Sequence, residues 1–298
     1  MTRSFSNQTL RFAPSSNGYL HLGHAYSALL NFEMARASGG RMLLRIEDID
    51  IDRCRPEFEQ AIYEDLEWLG LSWELPVRRQ SEHFSDYANA LDRLRSRGLV
   101  YPCFCSRGDI MATVAGRPDS PRDPDGSPLY PGTCKHLPPA ERARRLAGGR
   151  AAAERIDMDA AMASLGFQLG WRERPVFGSS AEGREIIAEP ALWGDAIVAR
   201  KDIQTSYHIA VVVDDALQGV TDVVRGEDLF MATHLHRLLQ ALLDLPEPRY
   251  RHHRLLRDAS GHKLSKSLRA KSLRALRQEG LSPEAARKLL GGELIAAS

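Results

Sequence analysis

The stretch that decides the fold runs from Arg11 to Asp50 and reads RFAPSSNGYLHLGHAYSALLNFEMARASGGRMLLRIEDID. Residues 10–13 predict a short strand that ends at Pro14, because proline lacks the N–H that a strand ladder needs. Residues 20–38 predict a helix that ends at two glycines. The apolar residues of 41–50 then predict a buried strand with a polar tip. Strand, helix and strand in this order are typical of a parallel sheet.

The same alternation continues along the chain on both sides of its middle third. Helices are predicted over 58–69, where apolar residues recur at helical spacing, and over 87–94. Further on, the apolar run 209–213 predicts a central strand, and DVVRGEDL at 222–229 predicts another. Residues 231–243 predict an amphipathic helix. The fold class is therefore α/β, with a doubly wound parallel sheet.

Residues 101–190 interrupt this alternation. The segment AGRPDSPRDPDGSPLYPGT at 115–133 is rich in proline, glycine, aspartate and serine and predicts a loop. An arginine- and alanine-rich helix is predicted around Pro139–Glu154. The predicted organisation has four parts: 1–100, the first half of a sheet domain; 101–190, an insertion; 191–250, the second half of the sheet domain; and 251–298, a loop and a basic, short helical C-terminal region.

Bulk composition sets limits on the class of protein. The chain has 298 residues, 43% of them hydrophobic and 27% charged, and a formal net charge of +1, which is typical of a globular protein. The N-terminal residues lack a signal peptide's apolar core, and no apolar run approaches the roughly 20 residues of a membrane span. We therefore expect a cytoplasmic protein without a membrane partner.

The first candidate site is H-x-G-H, formed by His21, Gly23 and His24 at the start of the first predicted helix. A helix N-terminus offers unpaired N–H groups to phosphate, and glycine lets the backbone approach a ligand closely. The two imidazoles can donate to phosphate oxygens as charge develops. An ordinary helix cap explains the residues equally well, whereas zinc lacks a third ligand nearby.

The second candidate site is GHKLSKS, Gly261 to Ser267, where Lys263 and Lys266 accompany small hydroxyl residues after a glycine. Such a loop can close on phosphates and place two ammonium groups on them. Taken alone, the same pattern is typical of a solvated turn.

The third candidate site is a set of thiols in the insertion, Cys103 and Cys105 followed by Cys134. In a reducing compartment such a set suggests structural Zn²⁺, which prefers four tetrahedral ligands. Coordination chemistry favours His136 as the fourth ligand. The alternative is three free buried thiols. Cys54 stands alone and is expected to be a free thiol.

H-x-G-H after the first strand and K-L-S-K-S after the last resemble the HIGH and KMSKS signatures of class I aminoacyl-tRNA synthetases. The opening RFAPSSNGYLHLG, the later LRIEDID and the block AVVVDDALQGVTDVVRGEDL at 210–229 resemble the glutamyl/glutaminyl subgroup. The matching segments cover about 10–105 and 195–267. This resemblance implies a Rossmann-type catalytic domain with a zinc-binding insertion.

The resemblance also implies a role for individual residues. Arg11 and Arg225 stand at the family's arginine positions and would pair with carboxylate, and Glu47 would hold the substrate's ammonium group. The resemblance further implies a structural zinc held through Y-x-x-x-C, which makes Tyr130 rather than His136 the fourth ligand. The resemblance implies that glutamate is bound by Arg11, Phe12, Ala13, Pro14, Ser15, Glu47, Tyr207 and Arg225. It implies that ATP is bound, together with Mg²⁺, by His21, Gly23, His24 and Lys266, and that the catalytic residues are His21, His24, Lys263 and Lys266. The implied zinc ligands are Cys103, Cys105, Tyr130 and Cys134.

Within this family the sequence resembles the shorter members, the glutamyl-queuosine tRNA(Asp) synthetases. That resemblance implies ATP-dependent activation of L-glutamate without tRNA and its transfer to queuosine at the wobble position of tRNA(Asp). It also implies a tRNA anticodon loop as partner, a monomer, and no anticodon-binding domain after K-L-S-K-S. A minimal glutamyl-tRNA synthetase, a catalytically silent RNA-binding relative and a nucleotidyltransferase acting on a small substrate remain alternatives.

The sequence also departs from the family pattern at several positions and carries a basic stripe near its C-terminus. Several positions depart from the family pattern, including SSNG at 15–18, His208, and ATHLHR at 232–237, which replaces the usual T-P-R-Q and removes an expected arginine. The stretch 249–279 carries ten arginines and lysines against Asp258 and Glu279, and such a basic stripe predicts contact with RNA phosphates.

Overall fold

The computed structural model describes residues 8–116, 119–176, 182–256 and 271–290. The strands in these ranges are β1 (Thr9–Phe12), β2 (Arg41–Ile46), β3 (Glu74–Arg79), β4 (Val100–Cys103), β5 (Ala153–Ile156), β6 (Gly170–Glu173), β7 (Arg184–Ile187), β8 (Ile197–Ala199), β9 (Asp222–Gly226) and β10 (Arg249–His253). The helices are α1 (Leu22–Ala37), α2 (Pro56–Trp68), α3 (Phe84–Ser96), α4 (Arg107–Val114), α5 (Pro139–Ala147), α6 (Met158–Ala163), α7 (Tyr207–Leu217), α8 (Ala232–Leu242), α9 (Leu273–Gln278) and α10 (Pro283–Leu289). None of these helices is long and apolar enough to cross a membrane.

Parallel strands form the centre of the fold, as the alternating pattern predicted. β1, β2 and β3 pair in parallel in that order, and β9 pairs in parallel with β10. The Thr221 amide donates to the Thr9 carbonyl over 3.0 Å, so β9 lies beside β1. The chain therefore leaves β1 towards β2 on one side and returns through β9 and β10 on the other. In α/β sheets such a reversal of strand order leaves a crevice at the carboxyl ends of the strands, where ligands bind.

The middle third of the chain supplies strands to two sheets. β4, β5 and β8 form a separate antiparallel sheet. β6 and β7 pair with each other in antiparallel fashion, and β6 extends the sheet of β9 and β10. The predicted helix over Pro139–Glu154 is too long: α5 ends at Ala147, and Glu154 lies in β5. Gly149, at φ +71°, follows α5 with the left-handed conformation that glycine adopts easily.

The predicted central strand at 209–213 is wrong, because these residues lie within helix α7. The Ser206 hydroxyl accepts a hydrogen bond from the Ile209 amide and caps the start of the helix. All of 209–215 is buried, so this part of the helix is enclosed around its whole circumference rather than along one stripe. A short apolar run is compatible with either a buried strand or a buried helix, and periodicity alone does not separate the two.

Two adjacent carboxylates of α7 attach that helix to the first half of the sheet. Asp215 accepts hydrogen bonds from Arg11 of β1 over 3.0 Å and from Arg45 of β2 over 2.7 Å. Asp214 accepts from Arg78 of β3 over 2.7 Å and from Tyr87 of α3 over 3.0 Å. Burial disfavours ionisation of Asp215, but the two guanidinium groups outweigh it and hold the pKa of this carboxyl below its usual value.

We predict that Asp215→Asn lowers the free energy of unfolding by about 3–5 kcal/mol, because it leaves two buried guanidinium groups without their shared carboxylate. Asp92→Asn is the matched control, since it removes an exposed ion pair with Arg95 and should cost under about 1 kcal/mol. Urea unfolding of both variants measures the difference. Equal losses would show that the buried cluster contributes no more than a surface pair.

Candidate active site

A cleft of about 540 Å³ lies at the carboxyl ends of β1, β2 and β9. The structure brings eleven of the predicted site residues to this cleft: Arg11, Phe12, Ala13, Pro14, Ser15, His21, Gly23, His24, Glu47, Tyr207 and Arg225. Its size suits a small ligand of the kind that α/β folds bind at this edge.

The two imidazoles of H-x-G-H form the start of helix α1. The Gly23 amide donates to His21 Nδ1 over 3.0 Å, and the His21 amide donates to His24 Nδ1 over 3.1 Å. This reciprocal arrangement is a capping box, with histidine in the place of the usual hydroxyl and carboxylate residues. Because Nδ1 accepts in both rings, each neutral imidazole carries its proton on Nε2. The same residues therefore cap a helix and line the cleft.

Arg225, near the end of β9, is a buried cation whose partners are all uncharged acceptors. Its side chain donates to Thr233 Oγ1 over 2.7 Å, to His236 Nδ1 over 3.1 Å and to His252 Nε2 over 3.2 Å. Among the described residues no carboxylate forms an ion pair with it, although it is only 5% exposed. A buried charge without a counter-ion is costly, so this wall of the cleft is suited to an anionic ligand.

Arg11 and Glu47 supply charges of both signs elsewhere in the cleft. Arg11 is held by its ion pair with Asp215, and Glu47 accepts from Arg45 over 3.1 Å. Burial raises the pKa of Glu47, although the neighbouring Arg45 opposes the shift. Arg11, Arg225 and Glu47 thus supply two guanidinium groups and a carboxyl group, which are complementary to a ligand with carboxylates and an ammonium group, and Asp228 also lines the cleft.

Tyr207 adds an uncharged hydroxyl to the same cleft. It is the first residue of α7, and burial raises its pKa to about 12. The phenol is therefore protonated at neutral pH, where it can both donate and accept a hydrogen bond.

Lys263 and Lys266 lie outside the described residues, in 257–270. One flanking segment lines the cleft, and the other pairs with the residues just before α1. Leu256 lines the cleft, and the Leu273 amide donates to the Leu20 carbonyl over 2.8 Å, next to the start of α1.

The three cysteines of the insertion meet in a second cluster, where the sulfur atoms lie within 4.8 Å of one another and could hold a metal ion. Tyr130 Oη lies 3.5 Å from Cys105 Sγ and accepts from the Cys134 amide over 2.8 Å. His136 is exposed and is not part of this group of candidate metal ligands. Burial raises the pKa of the Cys105 thiol. At Cys134, hydrogen bonds from Tyr130 and the backbone outweigh burial and lower the pKa.

Part of the basic stripe near the C-terminus is neutralised by carboxylates from other parts of the chain. Arg249 and Arg251 both pair with Asp222, and Arg277 pairs with Asp65. Asp65 and Asp222 are distant from the stripe along the chain, so the sequence alone does not indicate these ion pairs. The charge that this stripe can offer to RNA phosphates is correspondingly smaller.

Sequence reasoning missed the residues that hold the cleft's charged groups in place. Asp215 orients Arg11, while Thr233, His236 and His252 surround Arg225. The available signal was the segment ATHLHR at 232–237, which contains Thr233 and His236 and departs from the family pattern.

Comparison with known proteins gives consistent matches. Residues 8–292 match the family described as tRNA synthetases class I (E and Q), catalytic domain. The glutamyl-Q tRNA(Asp) synthetase of Rhodobacter capsulatus is 47% identical, over 94% of this chain and 99% of that protein. Its counterpart from Nitratidesulfovibrio vulgaris is 41% identical, over 91% of this chain and 81% of that protein. The crystal structure of glutamate-tRNA synthetase from Elizabethkingia anophelis superposes with a TM-score of 0.78 at 25% identity, covering 96% of this chain but only 61% of that one.

We predict that His21→Ala lowers the free energy of unfolding by about 1 kcal/mol, because the Gly23 amide loses its acceptor at the start of α1. His21→Asn should stay close to the wild type, since asparagine is a favourable N-cap residue. Chemical denaturation of the three proteins measures both effects. Equal losses in the two variants would contradict a capping role for this imidazole.

Proposed function

From the family we propose the substrates: the chain belongs to the class I tRNA synthetases for glutamate and glutamine, whose catalytic domain it matches, and is therefore a ligase. We propose that it activates L-glutamate with ATP, without tRNA, and transfers the glutamyl group to queuosine at the wobble position of tRNA(Asp). The observation that carries the choice of an acidic amino acid is Arg225, a buried guanidinium in the cleft without a carboxylate partner among the described residues.

Glutamate would occupy the part of the cleft between the two arginines and Glu47. Arg225 and Arg11 pair with carboxylate, and Glu47 pairs with the α-ammonium group. Phe12, Ala13, Pro14, Ser15 and Tyr207 complete the wall. This arrangement matches each charge of the amino acid with a group of opposite sign on a different strand end.

ATP would lie with its phosphates at the start of α1. The α-carboxylate of glutamate attacks the α-phosphorus, a new P–O bond forms, and the bond to the β-phosphate breaks to release pyrophosphate. Gly23 allows a close approach, and His21 and His24 donate through Nε2–H to oxygens on which charge accumulates. Lys263 and Lys266 would add two ammonium groups, and Mg²⁺ would accompany the nucleotide. Catalysis then rests on positioning and electrostatics.

The RNA substrate is proposed from the relatives rather than from the cleft. The two relatives that are 47% and 41% identical to this chain are both named glutamyl-Q tRNA(Asp) synthetases. The partner would be the anticodon loop of tRNA(Asp) that bears queuosine. The second candidate is transfer to the 3′ end of a tRNA, which is favoured by the structural likeness to a glutamate-tRNA synthetase.

We also propose that Cys103, Cys105, Tyr130 and Cys134 hold one structural Zn²⁺. Three sulfur atoms within 4.8 Å of one another fit a tetrahedral zinc site, and the phenol oxygen of Tyr130 is in contact with the same group. The zinc would tie the end of β4 to the loop that carries Cys134.

The reaction is tested by two assays on the full chain. Pyrophosphate exchange into ATP should require glutamate and no tRNA. Labelled glutamate should then transfer to tRNA(Asp) that bears queuosine, and not to tRNA(Asp) lacking it. Transfer to the 3′ end of tRNA(Glu) would instead establish the second candidate. Absence of exchange with any amino acid would indicate a silent RNA-binding relative.

The zinc ligands are tested by metal analysis of purified variants. We expect one zinc per chain in the wild type and its loss in Cys105→Ser, because a thiolate ligand is removed. Tyr130→Phe should retain less zinc than the wild type, whereas His136→Ala should retain all of it. The reverse order of the last two variants would make His136 the fourth ligand, and a zinc-free wild type would overturn the site.

A further inference from the structure

Three histidines from three different elements are linked to Arg225 in one hydrogen-bonded row. His208 Nδ1 of α7 lies 3.1 Å from His236 Nε2 of α8, and His236 Nδ1 lies 3.1 Å from an Nη atom of Arg225. On the other side, Arg225 Nε donates to His252 Nε2 of β10 over 3.2 Å, and His252 Nδ1 lies 2.9 Å from the carboxylate of Glu173. The family's glutamate site as set out above does not use these histidines.

The guanidinium group determines where every proton in this row lies. Arginine only donates, so His236 Nδ1 and His252 Nε2 must both accept. A neutral His236 then carries its proton on Nε2 and donates it to His208. A neutral His252 carries its proton on Nδ1 and donates it to Glu173. Each contact in the row thus has one donor and one acceptor, without conflict.

The same proton count leaves part of Arg225 available. A guanidinium group has five N–H bonds, and His236, His252 and Thr233 each take one. Among the described residues no other acceptor is bonded to it, so two N–H bonds remain, one on each Nη atom. Two donors on one planar group are suited to a carboxylate, which can accept from both.

The side chains that hydrogen-bond to Arg225 are neutral, so they do not compensate its positive charge. Burial lowers the pKa of His236 well below its usual value, and it lowers the pKa of His208 to about 4. Burial lowers the pKa of His252 as well, although Glu173 opposes the shift. The carboxylate of Glu173 stands behind the imidazole and takes none of the guanidinium N–H bonds. Arg11, by contrast, is paired directly with a carboxylate.

We propose that His236 and His252, oriented by His208 and Glu173, are positioning residues that set the specificity of the cleft for a carboxylate over an amide. They hold Arg225 through neutral acceptors, so that its charge and two of its N–H bonds stay available to the ligand. This proposal rests on the proposed function, because the carboxylate that Arg225 would select is the side-chain carboxylate of glutamate.

The physical basis of the discrimination is the difference between the two side-chain ends. A carboxylate accepts from both remaining N–H bonds and meets an uncompensated charge. The amide of glutamine carries no charge, and its NH₂ group would face a donor. A carboxylate that paired with Arg225 in place of His236 would compensate the charge of the guanidinium group and leave the shape of the cleft unchanged.

A pair of variants at one position separates charge from shape. In His236→Gln the amide oxygen can accept from Arg225 and the NH₂ group can donate to His208, so the neutral row is preserved. In His236→Glu a carboxylate of the same length pairs with the guanidinium group. Both full-length proteins are assayed by pyrophosphate exchange with glutamate and with glutamine, and their unfolding midpoints are measured alongside.

We expect His236→Gln to keep the KM for glutamate within about threefold of the wild type. His236→Glu should raise it about tenfold or more, with the KM for ATP unchanged, because a charge-assisted contact is weakened. The ratio of kcat/KM for glutamate to that for glutamine should fall about tenfold in His236→Glu alone. Equal behaviour of the two variants overturns the role of the histidines, whereas a wild type without glutamate exchange overturns the proposed function and this proposal with it.

The proton arrangement has a readout that does not depend on activity. Long-range ¹H–¹⁵N NMR at pH 7 should show His236 protonated on Nε2 and His252 protonated on Nδ1, each as a neutral ring. Either ring as the opposite tautomer, or as an imidazolium, overturns the proposal even in an active enzyme.

Discussion

The fold depends on the burial of two adjacent aspartates, Asp214 and Asp215, in the middle of α7. A buried carboxylate is tolerated only with charged or hydrogen-bonding partners, and here the partners come from β1, β2, β3 and α3. One turn of a helix therefore fixes the ends of three parallel strands relative to the second half of the chain. The cleft lies at the ends of two of these strands, β1 and β2, so the same ion pairs that assemble the fold also position Arg11.

Two buried arginines show how the protein divides structural from ligand-binding charge. Arg45 is fully buried and contacts Asp215, Asp214 and Glu47, so its charge is matched within the fold. Arg225 is almost as deeply buried but is held by a hydroxyl and two imidazoles. The first arrangement stabilises the native state, whereas the second leaves a positive charge that a bound anion can satisfy. The difference lies in the partners and not in the residue type.

The sequence predicted the β1–α1–β2 unit, α8, and the residues of H-x-G-H at the start of a helix, because each depends on neighbours within a few turns. It failed at 209–213, where a buried helix and a buried strand have the same apolar composition. It overestimated the free charge of the basic stripe, since Asp222 and Asp65 neutralise three of its arginines from elsewhere in the fold. The roles of the individual site residues, and of Lys263 and Lys266 in particular, remain predictions.

The sequence by itself determined the family, the β1–α1–β2 unit, β9 and α8. It also determined the chemical types available: imidazoles at a helix start, arginines at strand ends and thiols in the insertion. Only the tertiary structure decided which of these groups share partners. Asp215 is 204 residues from Arg11, and His252 is 27 residues from Arg225. Local patterns carry no information about contacts of this kind, because they arise when separate elements pack and each buried polar group must find a partner.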